Sequence, residues 1–282
     1  MTLEVKVLDL GDIELETSFL VLARNPGEIA RVPTFGYLIL GGEAPILVDT
    51  GYRFPSIMER LGMVGIQTEE QLLENQLKQH GLKYGDVKYI LHTHLHIDHA
   101  GKDDQFPDNT TVVINRRELE FSVSGIMGEQ YPAEDVKHLV DRLHSHHALR
   151  LLDLELSGPE EIMPGVLCEA AGAHTDGSMN ILITTSEGTV CVCGDVIYDI
   201  NDQLVNPLYQ ALASEPATTG NHGCTKRGEK ASIKKMLNSS RFLAPIHDRP
   251  AVIEGGQVVG RIHDSMPGPI VEKLEPRNWF PV

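Results

Sequence analysis

The run Leu91-His-Thr-His-Leu-His-Ile-Asp-His-Ala-Gly101 places His94, His96, Asp98 and His99 almost side by side. Three imidazoles and a carboxylate at this density form a nitrogen and oxygen donor set that zinc and its first-row relatives favour. Residues two apart in an extended segment project to the same side, so His94 and His96 can grip one ion while the chain turns and delivers Asp98 and His99 to a second. The spacing predicts half of a binuclear metal site, and two ions need further ligands from elsewhere. His174 in Ala-Gly-Ala-His-Thr-Asp-Gly, Asp195 in Val-Cys-Gly-Asp and His247 in Leu-Ala-Pro-Ile-His-Asp each sit where a strand gives way to a loop. Each can approach the first cluster from a neighbouring strand tip.

Other polar residues have plainer readings. Asp49, in Asp-Thr-Gly, has the ordinary use of ending a strand with an Asx turn. His92 reads as a buried strand residue. His144, His146 and His147 close an exposed helical stretch, where solvated or dipole-facing histidines are common. Cys191 and Cys193 sit in an apolar run and, with Cys168, read as small buried thiols. His222 and Cys224 belong to no motif.

The elements that must hold these groups follow from periodicity. Residues 3–23 alternate in the strand manner, and 37–40 and 45–48 are two further strands joined at Gly41-Gly42. An amphipathic helix is predicted over 69–80, capped at Thr68 and stopped by Gly81, followed by a strand at 87–91 that runs into the histidine cluster. A short strand at 112–114 precedes a largely helical insertion over 116–147, in which Pro132 leads an acidic first turn. Strands are predicted at 150–156, 166–170, 179–185 and 189–193, a helix at 229–237, a strand at 242–246 and a hairpin around Gly255-Gly256. The insertion and the stretch after Tyr198 are the expected source of the pocket wall, with a dimer contact as the insertion's other use.

The chain has 282 residues, 41% of them hydrophobic, and no Pro/Gly/Ser-rich linker or charge block divides it, so it reads as one domain over 1–282. Lys and Arg number 24 against 40 Asp and Glu, a formal charge of −16 that repels a polyanion and argues against nucleic acid as substrate. The N-terminus lacks a basic segment followed by an apolar run, and no stretch is long enough to span a bilayer, so the expected location is cytoplasmic.

With Asp49 in Asp-Thr-Gly, His94 to His99 as His-x-His-x-Asp-His, then His174, Asp195 and His247 in that order, the chain resembles the metallo-β-lactamase superfamily. The resemblance implies an αββα sandwich, two mixed β-sheets face to face with helices outside. It implies that His94, His96 and His174 bind one metal, that Asp98, His99 and His247 bind a second, that Asp195 bridges them, and that Asp49 orients a ligand histidine. The expected cofactor is a pair of divalent ions, zinc first, with iron, manganese and cobalt open because imidazole and carboxylate suit them all.

Within the superfamily the string His-Thr-His-Leu-His-Ile-Asp-His-Ala-Gly, with Asp195-Val-Ile-Tyr198, looks most like the N-acyl homoserine lactonases, in which a tyrosine at the place of Tyr198 reaches the substrate carbonyl. The implied activity is opening of a lactone ester by a metal-bridging hydroxide, with Asp98 passing a proton to the leaving alkoxide; a hydrolase of another ester, thioester, phosphoester or amide, or a redox or non-catalytic metal-binding member, are the alternatives. The implied partner is a small molecule with a lactone or ester carbonyl, and relatives suggest a homodimer. Two departures stand out. The family's Pro-Gly-His-Thr-Pro-Gly-His loop is here Ala171-Gly-Ala-His-Thr-Asp-Gly-Ser178, and its frequent Gly-Gly-Asn is Gly101-Lys-Asp-Asp.

Overall fold

The computed structural model describes residues 2–205, 216–219, 224–262 and 271–273. Its strands fall into two blocks along the chain. The first holds β1 (Glu4–Glu16), β2 (Ile29–Leu40), β3 (Ile46–Val48), β4 (Val64–Ile66), β5 (Tyr89–Leu91), β6 (Thr111–Asn115) and β7 (Leu149–Leu152). The second holds β8 (Glu160–Met163), β9 (Val166–Ala170), β10 (Met179–Thr185), β11 (Gly188–Gly194), β12 (Phe242–Pro245), β13 (Ala251–Glu254), β14 (Gln257–Ile262) and β15 (Val271–Lys273). Each block makes one sheet, in the orders β4-β1-β2-β3-β5-β6-β7 and β15-β14-β13-β12-β11-β10-β9-β8. Both are mixed: β3, β5, β6 and β7 run parallel, as do β11 and β12. The described helices are α1 (Leu73–Gln79), α2 (Arg116–Ser122), α3 (Ala133–Arg142), α4 (Leu154–Ser157) and α5 (Lys226–Ser239), and none is long and apolar enough to cross a membrane.

The period-2 alternation of each strand decides which layer it feeds. In β11, Val190 and Val192 enter the core between the sheets, where they join Val5, Ile39, Val48 and Leu91 of the first sheet. Cys191 and Cys193 point to the opposite face, beneath Ile233 and Met236 of α5. On the far side, Leu73 and Leu77 of α1 and Val136 and Leu139 of α3 cover Leu47, Ile90 and Val112. The result is the αββα sandwich. Cys168, Cys191 and Cys193 are buried free thiols, as packing residues should be, and Cys224 is half-buried.

Several elements differ from their sequence-based ranges, each for a local reason. β1 stops at Glu16, whose carboxylate accepts the backbone N–H of Ser18 and of Gly27 and folds the chain into a turn. α1 starts late because the side-chain amides of Asn75 and Gln76 donate to the carbonyls of Glu69 and Glu70, holding them in a preceding turn. The Leu-x-Leu pattern after β7 imitates a strand, but Asp153 turns the chain: its carbonyl accepts the N–H groups of Leu156 and Ser157, and α4 leaves Leu156 89% exposed. The 116–147 segment is two helices and not one continuous run, since 123–132 forms turns and Pro132 caps α3 from outside. His222 and most of the C-terminal tail lie outside the described residues, as does part of the stretch after Tyr198.

Candidate metal centre and its cleft

The site forms where parallel strands end. β3 runs out into Asp49, β5 into His92 to His99, β11 into Asp195 and β12, one residue on, into His247, while the β9–β10 loop delivers His174. Carboxyl ends of neighbouring parallel strands are where α/β sheets open crevices. Asp49 and His174 both have left-handed backbone, with φ of 56° and 68°. A non-glycine residue holds that conformation only where its surroundings over-determine it. Gly101 closes the histidine loop against Gly51, its N–H donating to the Gly51 carbonyl at 2.9 Å. A Cβ there would lie 2.2 Å from the backbone nitrogen of Arg53, so no larger residue fits.

The side chains gather in two pockets. His94, His96, His174 and Asp195 form one, and Asp98, His99 and His247 the other, all buried, with the donor atoms of each group within 4.8 Å of one another. In the first, His174 Nε2 lies 3.0 Å from His94 Nε2 and 3.1 Å from His96 Nδ1. Burial depresses the pKa of His94 and His96 well below the usual range and that of His174 to about 4, so three neutral imidazoles turn nitrogens toward one point. Tetrahedral ligands at about 2.0–2.1 Å from zinc are themselves roughly 3.3 Å apart, so the spacing fits a cation.

Asp195 lies between the pockets. Its Oδ2 is 3.7 Å from His94 Nε2 and 3.6 Å from His174 Nε2, whereas Oδ1 is 3.3 Å from His99 Nε2 and 3.4 Å from His247 Nε2. In the second pocket burial opposes charge on the imidazoles, yet Asp195 and Asp98 outweigh it, lifting His247 to about 10 and His99 well above its ordinary value. Protons there balance two buried carboxylates, and a divalent cation would displace them. Among the described residues, His99 Nε2 and Asp195 Oδ1 have no hydrogen-bond partner and are buried. The donor set therefore fits a pair of divalent ions.

Groups behind the ligands fix their tautomers. Asp49 Oδ2 sits 2.9 Å from His99 Nδ1 and accepts the Thr93 hydroxyl at 2.7 Å, while Oδ1 accepts the Thr93 N–H at 2.9 Å. His247 Nδ1 donates to the Pro33 carbonyl at 2.9 Å, leaving Nε2 for the pocket. His92 has a larger part than strand burial. It bridges Asp49 (3.2 Å) and Asp103 (2.6 Å), and these two carboxylates overcome burial to raise its pKa to about 9. His144 to His147 lie away from the centre and belong to neither ligand group.

A cleft of about 570 Å³, counted to its open mouth, leads to the two pockets. His96, Asp98, Asp195, Tyr198 and His247 form its polar floor; Ile13, Leu15, Phe19, Leu20, Val32 and Met58 are among its apolar walls. The wall thus comes from the β1–β2 hairpin and the turns after β1 and before β4. This corrects the sequence-based expectation, because the 116–147 insertion contributes Gln130 alone to the lining. Tyr198 stacks on His247 with ring centroids 5.3 Å apart and planes at 17°. Burial and then the Asp195 and Asp98 charges hold its pKa well above the usual value, so the phenol stays a donor. Gln203, buried, braces this turn by accepting the N–H groups of Tyr198 (2.7 Å) and Asp199 (3.1 Å).

A family model described as the metallo-beta-lactamase superfamily matches residues 29–245. The chain belongs to that superfamily. N-acyl homoserine lactonase of Bacillus thuringiensis is 30% identical over 199 residues, 67% of this chain and 73% of that one, and the Bacillus cereus enzyme of the same name is 31% identical over the same length. Among solved structures, an N-acyl homoserine lactone hydrolase with the product N-hexanoyl-L-homoserine bound at its catalytic metal centre superposes with a TM-score of 0.65 and 26% identity, covering 84% of this chain and 89% of that one. The protein is accordingly a metallo-β-lactamase-fold, metal-dependent hydrolase of the lactonase-like kind. Sequence reasoning missed Asp103, Glu118, Tyr131 and Gln203 around the centre. Only Asp103 had a signal, its position in the altered Gly-Gly-Asn motif.

Proposed function

We propose that this enzyme opens the ester ring of a lactone, of the N-acyl homoserine lactone kind, at a binuclear centre held by His94, His96 and His174, by Asp98, His99 and His247, and by a bridging Asp195. The observation that carries the reading is the placement of Asp195, one carboxylate oxygen facing each pocket. When bound, two divalent cations supply Lewis acidity and a nucleophile at neutral pH. The chain's own groups do the rest. Tyr198, protonated and lining the cleft beside His247, donates a hydrogen bond to the substrate carbonyl oxygen, where negative charge develops. Asp98, whose Oδ2 lies 3.2 Å from His247 Nε2 on the cleft floor, carries a proton to the departing ring oxygen. Asp49 keeps His99 in one tautomer throughout.

The cleft favours a neutral, partly apolar substrate over a phosphoester. No Lys or Arg is among the described residues that line it to pair with a phosphoester's charge, and its walls are apolar. The names of the relatives point to the same bond. The test is a panel of N-acyl homoserine lactone, thioester and phosphodiester substrates given to zinc-loaded enzyme, with acid release measured; ring opening of the lactone at the highest kcat/KM is expected. Preference for the phosphodiester would overturn the reading.

A further inference from the structure

Glu118, on the first turn of α2, is a carboxylate buried to 1% exposure that is not among the seven proposed ligands, and its oxygens tie together the two loops that carry the first pocket. Oε1 accepts the N–H of Leu95, the residue between His94 and His96, at 2.9 Å. The same oxygen accepts the Tyr131 hydroxyl at 2.8 Å, and the Tyr131 ring packs edge-on against His96 with centroids 4.8 Å apart. Oε2 accepts the hydroxyl of Thr175, next to His174, at 2.5 Å. Helix and loop press together behind it: a Cβ on Gly177 would lie 1.9 Å from the Glu118 nitrogen, and Asn115 Nδ2 donates to the Gly177 carbonyl at 3.0 Å. That loop, Ala171 to Ser178, contains no proline to stiffen it.

Asp49 does the corresponding work for the other pocket through its direct contact with His99 Nδ1 at 2.9 Å, while the Thr93 hydroxyl it holds lies between His94 Nδ1 (3.2 Å) and His99 Nδ1 (3.4 Å). From this pairing we infer that Glu118 is a positioning residue that sets His94, His96 and His174 for one metal ion, as Asp49 does for the other, so that each pocket has its own buried carboxylate brace. The inference rests on the binuclear reading above. It also gives the insertion a use in the metal centre in place of the expected one in the pocket wall. Acting through Leu95, Tyr131 and Thr175, Glu118 governs how tightly an ion is held, and partners of this type contribute about 10- to 100-fold in affinity.

The experiment compares stepwise zinc binding, by chelator competition, in the parent, Glu118→Gln and Asp49→Asn, with anomalous diffraction at the zinc edge to locate the ions that remain. Gln keeps the shape but offers one acceptor oxygen to three donors. The expected result is a 10- to 100-fold weaker binding of one equivalent in Glu118→Gln, with density lost between His94, His96 and His174 and kept between Asp98, His99 and His247; Asp49→Asn, which touches His99 directly, should weaken the ion between Asp98, His99 and His247 the more. Equal weakening of both sites, or of neither, would overturn the inference. Should Glu118→Gln fail to fold, Thr175→Val alone removes one donor and leaves the carboxylate the Leu95 N–H and the Tyr131 hydroxyl, and must reproduce the same one-sided loss. A parent that binds no zinc defeats the binuclear reading itself, a different outcome from a parent that binds two ions and a variant that holds both.

Discussion

His94 and His99 have no exposed surface and Asp195 only 3%, whereas Phe19, at the mouth of the cleft that leads to them, is 63% exposed. The ligand shell is cross-braced by hydrogen bonds from groups far apart in sequence, as Asp49 to His99 and His247 to Pro33 show. The wall's aliphatic side chains make no hydrogen bonds of their own. The wall is a separate apolar cluster of Ile13, Leu15, Leu20, Met58 and Ile97, against which Tyr198, Leu61 and Met63 pack. Directional bonds fix geometry and tolerate little change, while apolar contact adapts to shape at modest cost. On the proposed function, chemistry depends on the shell and choice of substrate on the wall.

Substitutions can break this division. Asp195→Asn removes the carboxylate charge shared by both pockets, so metal content should fall and kcat/KM should drop on the order of 10³-fold or more, measured by metal analysis alongside lactone hydrolysis. Tyr198→Phe should lower kcat by about 10- to 1,000-fold with metal content unchanged; a variant as active as the parent would remove Tyr198 from the chemistry.

The His92 network sharpens the comparison through pH. Its folded-state pKa of about 9 exceeds the ordinary 6.5, so the folded chain holds the proton more tightly than the unfolded one. The stabilisation is complete below pH 6.5 and is lost as pH rises through 9. In metal-stripped protein the stability difference between the parent and His92→Gln should shrink by roughly 3 kcal/mol over that interval, read from urea unfolding. A difference constant from pH 6 to 10 would mean that His92 is not charged between Asp49 and Asp103. At the wall, Phe19→Ala should raise KM for long-acyl lactones about 5- to 30-fold and leave kcat on short-acyl ones unchanged. An effect on kcat for both would show that the wall also shapes the reacting geometry.

The same contrast explains what was legible in the sequence. His94 to His99 could be read because one short loop holds both residue types and spacing, and His174, Asp195 and His247 because they follow it in the order of the motifs the chain resembles. The wall could not be, because Ile13, Leu15 and Val32 follow the ordinary alternation of a half-buried hairpin and carry no mark of facing a ligand. Glu118 was hidden for a related reason. Its carboxylate sits in an Arg-Arg-Glu run typical of a solvated helix start, and the close approach of Gly177, with Leu95, Tyr131 and Thr175, buries it. Asp153 misled in the opposite sense, interrupting a leucine pattern that periodicity alone extends as a strand.

The most direct test of the account is a zinc titration of metal-stripped enzyme with acid release from an N-acyl homoserine lactone recorded at each step. Activity should be absent at the start and rise to a plateau at two equivalents per chain. Full activity without added metal, or a plateau at one equivalent with no second ion bound, would contradict it.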